Sequence, residues 1–361
     1  MEKVSVAMNF IDDLIEPGTE SFSSKKVQMF TLFALSFDFI DNKISITDEI
    51  KQYYIQFVKT YNAFKNEYDF PLTTDEERKA FEMTLDSIIK KSQTQDLSEV
   101  MLPLVDKVEK IMGDDWEASS YEMLRSLAKN PDSKWTHYTQ RILREVDPHI
   151  LKTFLLNAGF EAGFMGYKTS LKMKKKYGCN IPWIILMDPT TACNLHCTGC
   201  WAAEYGNKMN LSYEMMDKII TEGKELGIYA YLFTGGEPLI RKDDIIRLCE
   251  KHKDVAFHAF TNGTLIDEKF CQDLLRVGNF FVSVSIEGFE AATDGRRGNG
   301  TYQKVIKAMA ILKEKHLPFG LSCCYTSQNL DSISSYEFID QMVEWGARFV
   351  WYFHYMPVGN D

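Results

Sequence analysis

The spacing of apolar residues changes once along this chain. Up to about residue 150 they recur three or four apart. Segments 48–67, 75–92, 98–112 and 134–146 therefore predict amphipathic helices. Asp75, Glu76 and Glu77 open one of these with acids, which suit the positive end of a helix dipole. Pro71, Pro103, Pro131 and Pro148 punctuate the region. Segment 148–176 predicts a long connecting helix, weakened at Gly159, Gly163 and Gly166 and basic at its end through Lys172, Lys174, Lys175 and Lys176. From residue 182, short apolar runs alternate with amphipathic stretches. Strands are predicted at 183–189, 229–234, 255–260, 280–286, 319–325 and 349–356, and helices at 212–226, 243–252, 267–276, 301–315 and 333–345. This alternation implies a parallel sheet with helices outside it, either doubly wound or a barrel. Six units are too few for an eight-stranded barrel. In both architectures chemistry sits at the C-terminal ends of the strands.

Charge separates the two halves. Residues 1–150 hold 18 Lys/Arg against 27 Asp/Glu, and 151–361 hold 23 against 24. The net charge of −10 argues against non-specific nucleic-acid binding. No apolar run is long enough to span a membrane, and the start Met-Glu-Lys-Val-Ser-Val does not read as a signal peptide, so a cytoplasmic location is expected. The basic helix 148–176 leaves contact with a membrane surface as an alternative to packing on the next domain. His137 and His149 are isolated and read as ordinary structural or surface residues.

Of eight cysteines, three cluster directly after the first predicted strand, as Cys193, Cys197 and Cys200. That spacing lets three thiolates converge on one small object, and suits a 4Fe–4S cluster with one iron lacking a protein thiolate. A structural zinc would need a fourth ligand, and His196, adjacent to Cys197, is awkward for joint ligation of one ion. Gly235, Gly236 and Glu237 follow the second strand, where two glycines permit close approach of backbone to a ligand. Thr261, Asn262 and Gly263 end the third. In the fourth, period-two spacing puts Ser283, Ser285 and Glu287 on one face.

Three cysteines spaced Cys-x-x-x-Cys-x-x-Cys after the first strand, with Gly-Gly-Glu after the second, resemble the radical S-adenosylmethionine (SAM) enzymes. The resemblance covers residues 182–361. It implies a fold of class α/β, a partial (β/α)6 TIM-like barrel preceded by an all-α N-terminal domain. The expected domains are 1–147, helical; 148–181, a connecting helix or linker; and 182–361, the core, which lacks or has lost the cysteine-rich extension of peptide-modifying relatives. The implied cofactors are a 4Fe–4S cluster on Cys193, Cys197 and Cys200, and SAM. The implied chemistry is reductive cleavage of SAM to a 5′-deoxyadenosyl radical that abstracts hydrogen from substrate. Gly235, Gly236 and Glu237 resemble the motif that holds the methionyl amine. Ser283, Ser285 and Glu287 resemble the ribose-binding strand. Arg297, rather than Arg296, resembles the partner of the SAM carboxylate, and Met356 lies where the sixth strand meets adenine. The family often has an aromatic residue before the third cysteine; here Gly199 holds that place and Trp201 comes after the cysteine. Cys323 and Cys324 are expected to be structural.

The pattern is closest to the lineage of peptide, protein and cofactor maturases. The expected substrate is therefore a peptide, protein or cofactor precursor. A lipid or isoprenoid is the alternative, and an iron–sulfur electron carrier is the alternative from another class. The expected partners are a low-potential donor such as flavodoxin or ferredoxin, and a peptide or protein substrate docking on the N-terminal domain.

Overall fold

The computed structural model describes residues 74–112, 118–200, 202, 206 and 209–356. The predicted helix 48–67 lies outside them. The chain divides into two compact units, residues 1–141 and 142–361.

The described part of the first unit is helical: α1 (Thr74–Ser92), α2 (Leu97–Met112), α3 (Ala118–Lys129) and α4 (Lys134–Glu145), whose last turn passes into the second unit. Of the stripes predicted from spacing, Leu85, Ile89, Val100 and Val105 are buried; α3 lies outside the predicted segments, and it buries Tyr121 and Ala128. Arg125 of α3 bonds Asp106 of α2 at 2.9 Å and also pairs with Glu109.

The second unit is built on six strands: β1 (Ile185–Met187), β2 (Ala230–Phe233), β3 (Ala256–Thr261), β4 (Phe280–Ser285), β5 (Phe319–Tyr325) and β6 (Val350–His354). They are all parallel, in the order β1-β2-β3-β4-β5-β6, so the sheet is an open half-barrel with β1 and β6 at its edges. Helices return each strand to the same end, among them α7 (Tyr213–Glu225), α8 (Lys242–Lys251), α9 (Glu268–Val277), α10 (Glu290–Arg297), α11 (Thr301–Glu314) and α12 (Tyr336–Trp345). The outer face packs on these helices. Tyr231, Phe233, Phe257, Phe280, Val282, Val284, Leu321 and Cys323 are buried there with Phe270, Leu274 and Phe338. Phe233 stacks on Phe257 with 5.7 Å between ring centroids.

Register fixes the inner face. One row across the sheet is Leu186, Leu232, His258 and Phe281; the next is Phe260, Ser283 and Gly320; above it come Ser285, Ser322 and Trp351, then Cys324 and Phe353. The helix predicted over 148–176 is present, as α5 (Pro148–Phe154), a wider-wound π segment (Leu155–Gly166) and α6 (Tyr167–Tyr177). Its first two segments pack across the N-terminal ends of the strands. Asn157 donates to Lys253 O at 2.7 Å and Val255 O at 3.0 Å, and Phe154 meets Phe281 edge-on. Gly166, expected to weaken the helix, is where it approaches the chain before β2 most closely: a Cβ there would lie 2.4 Å from Gly227 O. α6 buries no residue and carries the lysines on an exposed turn. Among the described residues no helix is long and apolar enough to cross a membrane.

Candidate active site at the strand ends

The loop after β1 carries the three cysteines and is tied down by its neighbours. Thr191 N donates to Met209 O, Gly236 N to Thr190 O at 2.9 Å, and Glu237 N to Ala192 O at 2.8 Å. Thr198 N donates to Arg296 O at 2.8 Å, so the far end of the loop rests on α10. Asn194 bonds Asn262 and Thr264 of the turn after β3. These contacts explain the glycines after β2. A Cβ on Gly236 would fall 2.2 Å from Ala192 O, and one on Gly235 2.7 Å from Thr190 O, with Gly235 at φ +101°.

Cys193, Cys197 and Cys200 are free thiols, each partly exposed, whereas His196 beside them is exposed. Two donors aim at sulfur: Leu195 N reaches Cys193 Sγ at 3.4 Å and Asn262 Nδ2 at 3.9 Å. Burial pushes the Cys193 and Cys197 thiols upward, and the positive charge of Arg297 pulls Cys197 back. Among the described residues no three His, Cys, Asp or Glu side chains close on a single ion. Three soft thiols in one loop with N–H groups aimed at sulfur fit three corners of an iron–sulfur cubane, whose irons stand apart, and those N–H groups are the bonds that tune such a cluster.

Two carboxylates expected at the mouth are closed inward. Glu237 is buried, with Oε1 accepting from Leu239 N at 2.9 Å and Thr261 Oγ1 at 2.7 Å, and Oε2 from Asn262 N at 2.7 Å. It fastens the β2 turn to the end of β3. Glu287, expected to bond sugar hydroxyls, is fully buried and accepts from Arg296 at 2.7 Å, Arg297 Nε at 2.8 Å and Cys324 N at 3.0 Å. Arg297, expected on the SAM carboxylate, thus faces Glu287 and joins α10 to β4 and β5. Ser283 is buried lower in the barrel, its hydroxyl 2.9 Å from His258 Nε2. Ser285, one row higher, makes no side-chain hydrogen bond among the described residues. Met356, past β6, is 71% exposed.

Two residues that the sequence pattern did not single out belong to this mouth. Tyr355 places its ring over Gly199, where a Cβ would fall 2.0 Å from the phenol oxygen. An aromatic ring does lie beside the third cysteine, therefore, but it comes from the end of β6. Its only sequence signal is a position at the end of the last strand. Asp188 comes directly after β1 and leans on Gly235, whose Cβ would fall 2.9 Å from Asp188 Cβ. Its signal is period two from Leu186. Of the cysteine pair in β5, Cys323 is buried outside and Cys324 is half-buried on the inner face, as alternation requires.

Below the mouth the inner face is aromatic. Phe260 meets Phe353 and Trp351 edge-on, and Trp351 and Phe353 remain 49% and 41% exposed. His258 stacks on Phe281 at 4.5 Å, and burial lowers its pKa to about 4, so the ring is neutral at pH 7.

Comparison with known proteins gives the same outline. Residues 187–339 match the radical SAM superfamily. Fe-coproporphyrin III synthase of Methanosarcina barkeri is 31% identical over 156 residues, covering 42% of this chain and 39% of that protein. PqqA peptide cyclase of Granulibacter bethesdensis is 29% identical over 159 residues, 42% of each chain. A crystal structure of Streptococcus suis SuiB bound to precursor peptide SuiA covers 54% of this chain and 44% of that one, at 20% identity and a TM-score of 0.46. The chain thus spans about two fifths of the length of these curated relatives. The cysteine loop, the Gly-Gly-Glu turn and strands β2 to β5 lie within residues 187–339, the segment of this chain that matches the radical SAM superfamily.

Proposed function

We propose that this chain is a radical SAM enzyme acting on a peptide, protein or cofactor precursor. The observation that carries the reading is the cysteine loop bonded through its backbone to the Gly-Gly-Glu turn. Thr190 O and Ala192 O accept from Gly236 N and Glu237 N, which seats both ligand-binding segments as one surface. Cys193, Cys197 and Cys200 would hold a 4Fe–4S cluster, and SAM would lie over Gly235 and Gly236. When bound, this pair supplies a 5′-deoxyadenosyl radical by reductive cleavage of the sulfonium.

The chain's own residues orient the mouth and line it. Glu237 and Glu287 each bind two segments of the mouth together, which keeps the loops preorganised. The aromatic inner face offers Phe260, Trp351 and Phe353 as apolar contacts for a substrate group. The residues of its lower rows, Leu186, Leu232, Phe260, Phe281 and Ser283, carry no charge and His258 is neutral. This favours an uncharged, apolar substrate group beneath the cofactor. The names of the two curated relatives, an Fe-coproporphyrin III synthase and a PqqA peptide cyclase, are consistent with the proposal. A low-potential electron donor is the required partner, since the cluster must be reduced before SAM is cleaved.

The test is anaerobic: reconstitute with iron and sulfide, reduce with dithionite, add SAM and quantify 5′-deoxyadenosine. Product is expected from the wild type and none from Cys197→Ala. Four irons per chain without product would favour an electron carrier.

A further inference from the structure

The connecting helix changes character along its length. Its first two segments bury Ile150, Leu151, Leu156 and Phe160. The last segment, α6, buries no residue. It is nevertheless apolar in part, with Tyr167 57% and Leu171 43% exposed. Gly227 shows which side of α6 meets the body of the unit. A Cβ there would fall 2.9 Å from Ser170 N and 3.0 Å from Thr169 Cβ. Thr169, Ser170 and Met173 are accordingly half-buried. The helical repeat then centres the opposite side on Leu171 and Lys175. Tyr167 stands one turn before Leu171. Lys168, Lys172 and Lys175 run along one flank of this pair, and Lys174 closes the other. The outward face is a short apolar ridge between lysines.

Charge sets the segment apart from the rest of the chain. Residues 162–187 contain five lysines and no acid, whereas the whole chain carries −10. Among the described residues none of the five pairs with a carboxylate. Lys168 instead lies over the Phe164 ring at 4.0 Å, and Lys176 over that of Tyr177 at 4.9 Å. Trp183, another exposed aromatic, follows six residues later and so lies within about 20 Å of the helix end.

A run of free lysines alone fits any polyanion. The ridge narrows the choice, because Leu171 offers nothing to a phosphate backbone or to a row of carboxylates. An anionic lipid surface takes both kinds of residue. Tyrosine and tryptophan settle among the headgroups, leucine enters the acyl boundary, and lysine stems reach back to the negative charge. We propose that α6 is a docking surface for an anionic membrane, with its axis in the plane of the surface. Four outward lysines around two apolar residues give reversible binding that salt weakens. The proposal holds whether or not the strand-end mouth binds SAM.

Sedimentation of the full chain with vesicles tests it. The chain is expected to sediment with vesicles of equal parts phosphatidylcholine and phosphatidylglycerol. It is expected to stay in solution with phosphatidylcholine alone, and to be released as salt is raised. Lys168→Gln, Lys172→Gln and Lys175→Gln combined should weaken binding roughly a hundredfold, at about fivefold per lysine. Leu171→Ser, which removes no charge, should weaken it about tenfold. Because α6 buries no residue, both variants should keep the far-UV spectrum and thermal midpoint of the wild type. Wild type that does not sediment with the anionic vesicles would overturn the proposal, as would sedimentation that the triple variant retains. Binding lost in the triple variant but unchanged in Leu171→Ser would identify a site for polyanions in general, an acidic protein or a nucleic acid, and would overturn the lipid assignment.

Discussion

At the scale of the residue, the inner face shows how burial selects a protonation state. His258 lies between Phe281 and Ser283, and its pKa falls from the usual 6.5 to about 4 because the charged ring would lose its water. The unfolded chain takes up that proton near pH 6.5 and the folded chain near pH 4. The stability held by the neutral ring is therefore complete above pH 6.5 and is lost as pH falls toward 4, by about 3 kcal/mol. Urea denaturation of wild type and His258→Asn should show their stability difference changing by that amount across the window. A difference that stays flat from pH 6.5 to 4 would refute it.

At the scale of the element, loops and strands meet through contacts too close for side chains. Gly236 is the clearest case. A methyl group there points at Ala192 O from 2.2 Å, and backbone cannot yield as a flexible side chain can. Gly236→Ala should destabilise the unit by about 1–3 kcal/mol and displace the cysteine loop. The measurements are thermal midpoint and iron per chain after reconstitution; unchanged iron content would show that the loop does not depend on this turn. The elements themselves were legible where periodicity was strong. The predicted strand 319–325 is β5 as observed, and 280–286 ends one residue early at Ser285. Strand 183–189 shortened to Ile185–Met187, because Pro189 has no N–H to offer and Trp183 lies exposed at the edge. Helix α10 escaped because Thr293 is its one buried residue, which leaves no apolar stripe to read.

At the scale of the molecule, the strand core and the cofactor mouth are separate. The buried aromatics Phe233, Phe257, Phe270 and Phe280 pack on the outer face of the sheet, away from the cysteine loop. Anaerobic removal of iron by a chelator should therefore abolish 5′-deoxyadenosine formation while leaving the far-UV spectrum of the half-barrel intact. Loss of strand signal together with iron would show that the cluster holds the fold.

The amino-acid order alone determined the features that local spacing encodes. Three thiols in eight residues, two glycines and a glutamate one strand later, and alternating periods of two and 3.6 predict the chemistry and the parallel sheet. Tertiary structure decided which of the polar groups are open. Thr261 and Asn262 reach Glu237 from 24 and 25 residues away, and Cys324 N reaches Glu287 from 37. The ring beside the third cysteine comes from Tyr355, on the opposite edge strand. No periodicity encodes such meetings, because they arise only when strands that are distant in sequence end at the same height of one sheet. That shared height closes Glu237 and Glu287 and leaves the buried oxygen of Asp188 without a partner.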